Sequence, residues 1–397
     1  MITSINLSNK IIIVLLISII ITIIMILTNS DFKYLEHMVN IPEITRKATW
    51  FRDKECNYKM IQVYKDILNE YDIKQTDKND WMIYIPCSYN NSEKQIKKIS
   101  SNLEDQRIFI VNNTDQISSK SNLWKNLVSK YGLDYTTKIA PNSYIIEDDG
   151  DLNRFLKDFS KDKIYIMKKN IQRQEGIKIT NDKDEILNSY KNKYVIVQEL
   201  LQDPYLINGR KTNMRFYVLL VCQNNELSIY VHSEGFIYYT KSPFKRNTLN
   251  WSNNITTGYI ERWIYKVNPL THSDFKNYLD NYDRPLLEAE KMLIENNKKI
   301  SETVFNRIYN LIVMVVKALD HKLCVGSHLE KNITFQLFGF DIAVDDKLYP
   351  KIIEVNVGPN LKLHDERDSE VKHAVIRDLF KVLKIVPDEN NKYIKLL

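Results

Sequence analysis

The chain has 397 residues, 44% of them hydrophobic and 27% charged, with a formal net charge of +6. That length accommodates two or three subdomains around sizeable cores. Lys and Arg are interspersed with Asp and Glu, a distribution that argues against nucleic acid as a partner and leaves room for a locally basic cleft.

Residues 1–30 hold Ile11 to Leu27, an uncharged run of 17 residues broken only by Ser18 and Thr22. A run of that length sits at the lower limit for crossing a bilayer as a helix. It predicts a single-pass N-terminal membrane anchor. A cleaved signal peptide is the rival, but Thr28-Asn29-Ser30-Asp31 lacks a small-x-small cleavage site. Lys10 precedes the run whereas Lys33, Arg46 and Lys47 follow it, which favours a cytosolic body.

Residues 31–60 read as a mixed linker. Within 31–114, WMIYIP (81–86) and RIFIVN (107–112) are compact β-type runs around a polar, helix-compatible stretch, so a small α/β domain is expected there. The body then divides into a central subdomain, 115–200, a C-terminal subdomain, 201–385, and a tail, 386–397. YVIV (194–197) is an apolar strand that ends at Gln198. After the Asn208-Gly209 turn, RKTNMRFYVLLV (210–221) enters a strand in which Lys211, Asn213 and Arg215 share one face and Thr212, Met214 and Phe216 the other. An ordinary half-exposed strand looks the same. Between Val304 and Leu319, Ile308, Leu311, Ile312 and Val315 recur at helical spacing.

FQLFGFDIAVDDKLYPKIIEVN (335–356) places acids and an amide inside apolar β-sequence, where polar groups need partners. A hairpin turning at Asp346 and Lys347 sets Asp341 across from Ile352 and diagonal to Glu354, with Ile352, Glu354 and Asn356 on one face. Asp341, Glu354 and Asn356 thus form a set of oxygen ligands suited to magnesium, or manganese in its place. The competing reading is a surface hairpin with solvated acids. Cys56, Cys87, Cys222 and Cys324 show no paired spacing and read as buried free thiols in a reducing compartment, rather than a zinc site or disulfide framework.

The 335–356 string resembles the metal-binding end of the tubulin-tyrosine ligase-like enzymes, a branch of the ATP-grasp superfamily. YIMKKNIQRQEGIKI (165–179), YVIVQELLQDPYLINGRKTNMRFYVLLV (194–221) and NNITTGYI (253–260) extend the match in the same order. The resemblance implies an α+β fold, with an ATP-grasp core of two subdomains clasping ATP behind the small α/β domain and the transmembrane helix. It implies an ATP- and magnesium-dependent ligase that joins an amino acid to a protein carboxylate through an acyl phosphate, tubulin being one candidate acceptor. On this resemblance Lys120 and Lys168 contact phosphates, Gly176 lies in the loop over them, and Gln198, Glu199 and Leu200 flank the adenine. Lys211 and Arg215 serve phosphate or acceptor carboxylate and, with Glu354, form the catalytic set. Asn213 lies near the ribose, and Thr256 and Thr257 contact the nucleotide. Two residues depart from the family: Asn213 replaces its Asp, and Tyr238 replaces an Arg in the strand matching GFIYYT. Those departures keep open a nucleotide-binding pseudoenzyme, and the anchor keeps open a ligase for a small molecule or a cell-surface polymer precursor.

Overall fold

The computed structural model describes residues 39–397, apart from 40, 45, 54–55, 57–58, 88–91, 102, 172–175, 259 and 320. The expected anchor, Ile11 to Leu27, lies outside these residues. Among those described, no helix is long and apolar enough to cross a membrane, so the expectation of a single-pass, membrane-localised protein is not supported there.

The described chain is a mixed α/β structure built on two sheets. The larger has 11 strands, and its order along the main path is Thr256–Thr257, Glu226–Thr240, Arg210–Gln223, Ile333–Val344, Arg107–Ile108, Ile83–Tyr84, Thr49–Phe51 and Lys74–Gln75. Pairing is antiparallel from the first of these to Ile333–Val344 and parallel beyond it, the change falling where Ile333 and Thr334 meet Arg107 and Ile108. The N-terminal α/β segment therefore extends the same sheet. Part of the expected linker is also ordered into it, as the strand Thr49–Phe51. The expected tail likewise supplies an edge strand, Tyr393–Lys395, on Glu226–Thr240.

Arg210–Gln223 becomes the central strand because its second half is apolar on both faces: Phe216 to Cys222 are all buried, the pattern of a strand covered on both sides. It turns into Glu226–Thr240 through Asn224 and Asn225, both at positive φ (53° and 63°), the conformation a two-residue hairpin requires and asparagine tolerates. One face of the sheet packs on the helix Ile300–Lys317, which buries Val304, Ile308, Leu311, Ile312 and Val315. The helix Glu366–Val382 buries Val375, Ile376 and Leu379 in the same core. Its start is capped by the Asp365 carboxylate accepting from the Asp368 amide.

The smaller sheet has four antiparallel strands in the order Ser143–Tyr144, Ile196–Glu199, Tyr165–Lys168, Ile177–Thr180. Tyr144, Phe155, Tyr165 and Ile186 form its separate core. The expectation for the cysteines is corrected. Cys56 pairs with Cys87 and Cys222 with Cys324, with Cα atoms 5.4 Å apart in each bridge, and no thiol remains free. The partners are 31 and 102 residues apart in sequence, so only the folded chain brings them within disulfide reach.

Candidate active site

A cleft of about 930 Å³ is lined by both sheets and by the loop and helix that follow the last long strand. Asp341, Glu354 and Asn356 meet on its wall. The register differs from the expected hairpin: Asp341 pairs directly with Glu354, because the pairs next to the turn, such as Ile342 with Ile352, are already one residue out of that register and a bulge between the Asp341 and Ile342 pairings adds a second. The extra residue on the second strand is Ile353, which lines the cleft beside Glu354, while Ile352 turns into the core at 2% exposure. The expected shared face of Ile352 with Glu354 therefore does not form. A bulge re-aims the side chains beyond it, and together with the shift at the turn it brings the two carboxylates opposite one another.

Asn356 Nδ2 donates to Asp341 Oδ2 and Glu354 Oε1, both at 3.2 Å. Arg215 forks onto Asp341, with Nε 2.5 Å from Oδ1 and Nη2 2.9 Å from Oδ2. Burial pushes the Asp341 carboxyl up, against the opposing pull of Arg215. Burial also opposes the charge on Glu354, but Lys120 and then Lys168 outweigh it and hold that carboxyl below its usual range. Lys120 Nζ lies 3.8 Å from Glu354 Oε2 and donates to the Ile171 carbonyl at 3.4 Å. No group of three His, Cys, Asp or Glu side chains suited to a metal occurs among the described residues. The donor set that fits a hard divalent ion is the two carboxylates with the Asn356 carboxamide.

Two buried lysines face this group. Burial drives Lys168 down to about 8, with Glu354 opposing. Lys211 falls to about 7 through burial and the nearby Lys168, and its Nζ donates to the Leu201 carbonyl at 3.0 Å. Lys211, Asn213 and Arg215 all line the cleft, as their shared strand face requires. Arg215 crosses Gly339, where a Cβ would lie 3.0 Å from its Cδ and 3.1 Å from its Nε. Glycine is thus what leaves that route open.

At the sheet–sheet junction, Gln198 Nε2 donates to Ser143 Oγ at 2.8 Å. Its buried Oε1 has no hydrogen-bond partner among the described residues, leaving an acceptor in the cleft wall. Glu199 lines the cleft, but its carboxylate is engaged by Lys163 at 2.8 Å and Tyr144 at 3.0 Å. The Glu199 and Leu200 amides already donate to the Asn142 and Ile164 carbonyls. Thr256 and Thr257 line the opposite side. Gly176, at φ 72°, closes the small-sheet turn by accepting from the Lys169 amide.

Asn213 and Tyr238 are direct cross-strand partners, and Arg215 sits 5.5 Å over the Tyr238 ring. The cleft residues Phe236, Arg262, Asp368 and Lys372 escape sequence reasoning. Lys241 and Arg246, cations that follow Tyr238 in the chain, are exposed and outside the cleft lining. Lys372 is signalled in sequence only by its i,i+4 spacing from Asp368, a spacing common on solvated helix faces.

The model of the tubulin-tyrosine ligase family matches residues 132–393, and the chain belongs to that family. Tubulin monoglutamylase TTLL4 of Mus musculus is 26% identical over 287 residues, covering 68% of this chain and 23% of that protein. A probable beta-tubulin polyglutamylase of Tetrahymena thermophila is 28% identical over 251 residues, covering 61% of this chain and 21% of its own length. The probable tubulin polyglutamylase ttll-9 of Caenorhabditis elegans is 25% identical over 345 residues, covering 80% of this chain and 77% of its own. The chain thus spans less than a quarter of the length of the first two relatives.

Proposed function

We propose that the protein is an ATP- and magnesium-dependent ligase with an ATP-grasp core, joining an amino acid to a protein carboxylate. The observation that carries this reading is the juxtaposition of Asp341, Glu354 and Asn356 with Lys168 and Lys211 in one cleft, with Lys120 3.8 Å from Glu354. Asp341, Glu354 and Asn356 are the residues that would hold magnesium, which when bound screens the charge of the triphosphate. Lys168 and Lys211, buried without a carboxylate within ion-pair distance among the described residues, are suited to phosphate oxygens. The Gln198 acceptor suits an exocyclic amine of a base.

The chemistry such a site supports is carboxylate activation. An acceptor carboxylate oxygen attacks the terminal phosphorus and ADP leaves. The amine of the amino acid then attacks the acyl carbon, phosphate departs and the nitrogen loses a proton. Arg215, pinned by Asp341 and Tyr238, keeps a fixed positive group beside the reacting oxygens. Membership of the family, with relatives named as tubulin glutamylases, supports a protein acceptor, and tubulin is the first to try. The test is ATP-dependent incorporation of labelled amino acids into tubulin and lysate proteins by the wild type and by Glu354→Gln. Incorporation that is lost in the variant supports the reading, and undiminished incorporation by the variant refutes the role of the cluster. The pairing of Asn213 with Tyr238 favours a second reading, magnesium-ATP binding without turnover, which saturable binding and no transfer to any acceptor would select.

A further inference from the structure

Beyond Arg215, the cleft continues into an end walled by Phe236, Tyr238, Tyr265 and Leu270. The Phe236 and Tyr238 rings stack at 6.4 Å with an interplanar angle of 11°. Gly258 faces this wall, and a Cβ there would lie 3.5 Å from Tyr238 Cε1, an ordinary van der Waals contact.

The cations around this end are committed. Lys372 Nζ donates to Asp368 Oδ1 at 2.8 Å, to Asp368 Oδ2 at 2.9 Å and to the Lys362 carbonyl at 2.6 Å, which accounts for all three of its protons. Arg262 gives Nε at 2.7 Å, and Nη2 as well, to Asp365 Oδ2, and its guanidinium lies 4.7 Å over the Tyr265 ring. Arg215 is held by Asp341 through two bonds. His364 is kept below its usual range by desolvation and by Lys372. Lys362 is exposed at the mouth. A second carboxylate carried into this end would thus approach Asp368 where Arg215, Arg262 and Lys372 are each already paired with a carboxylate, and a charge brought out of water without a partner of its own is strongly disfavoured. An uncharged side chain would instead bury apolar surface against stacked rings.

We propose that the aromatic end of the cleft, with Tyr238 as its selecting residue, receives the incoming amino acid and prefers one with an uncharged side chain over glutamate. This rests on the ligase reading above and narrows its substrate.

Two measurements on the full chain test it. The first compares kcat/KM for ATP-dependent incorporation of labelled tyrosine, leucine and glutamate. The second titrates the same free amino acids calorimetrically into protein loaded with magnesium and a non-hydrolysable ATP analogue. Tyrosine or leucine should exceed glutamate at least tenfold in both, and Tyr238→Arg should narrow that ratio about tenfold or reverse it. Equal or greater use of glutamate by the wild type, or an unchanged ratio in the variant, overturns the proposal. If no amino acid is incorporated, the ligase reading fails. The titration still decides the subsite: tenfold tighter binding of the uncharged amino acids upholds it, and no binding or a preference for glutamate overturns it.

Discussion

Replacing Lys211 with Met should stabilise the nucleotide-free protein and, on the proposed ligase reading, weaken the binding of ATP. Lys168 and Lys211 are 4% and 5% exposed, and burial lowers them from 10.5 to about 8 and about 7. A folded-state value below the unfolded one means that, between the two, the unfolded chain binds the extra proton. Stability therefore climbs as pH rises from the folded values towards 10.5 and is lost as pH falls back through them. Each lysine should contribute a slope of up to ~1.4 kcal/mol per pH unit, so the pair should steepen the curve by ~2–3 kcal/mol per unit between pH 8.5 and 9.5. At pH 7 the two depressed values correspond to penalties of ~4 kcal/mol for Lys211 and ~3 kcal/mol for Lys168. Lys211→Met should recover ~2–4 kcal/mol of this, less the bond to the Leu201 carbonyl. Urea unfolding of wild type and variant at pH 7, 8, 9 and 9.5, without nucleotide, measures both slope and offset. On the ligase reading magnesium-ATP would supply the missing negative charge, so its binding by the wild type should take up protons near pH 8 and weaken towards pH 9.5. Equal pH slopes for the two proteins, or a variant that is less stable at pH 7, would refute the reasoning.

Arg215→Met leaves Asp341 buried beside Glu354 without its fork and should cost ~3–5 kcal/mol; chemical denaturation should show Asp341→Asn restoring part of that loss in the double variant. Gly339→Ala puts a methyl 3.0–3.1 Å from Arg215 and from Pro359 Cβ, so it should cost ~1–3 kcal/mol and lower kcat more than it raises the KM for ATP. Unchanged kinetics would show that the route of Arg215 over residue 339 does not matter. Converting Cys222 and Cys324 to Ala opens a loop of 102 residues and should lower unfolding stability by ~2–5 kcal/mol. Thiol counting on the denatured wild type should find no free cysteine, and four reactive thiols would overturn the pairing.

Properties set by local periodicity were legible in the sequence, and those set by closure of the fold were not. The strand carrying Lys211, Asn213 and Arg215 declares itself by alternation, and all three line the cleft. The helix Ile300–Lys317 declares itself by the spacing of Ile308, Leu311, Ile312 and Val315. The hairpin was legible as a hairpin, but its register was not. Ile353 is the extra residue of a bulge, and no pattern within either strand distinguishes Ile352 from Ile353 as the one that packs inward. The consequence is chemical, since the bulge and the one-residue shift at the turn together set Asp341 opposite Glu354 rather than diagonal to it. Lys372 went unseen for a related reason. With Asp368 it forms what in sequence is an ordinary surface pair, yet their side chains are 3% and 7% exposed because the 359–372 segment folds back over Phe236. Cysteines 102 residues apart carry no spacing signal at all. The cleft is where segments from 168, 198, 211–215, 238, 341 and 354–372 converge. Its polar contents are therefore the part of the molecule that depends most on residues far away in the chain, and local reading is weakest where the chemistry is concentrated.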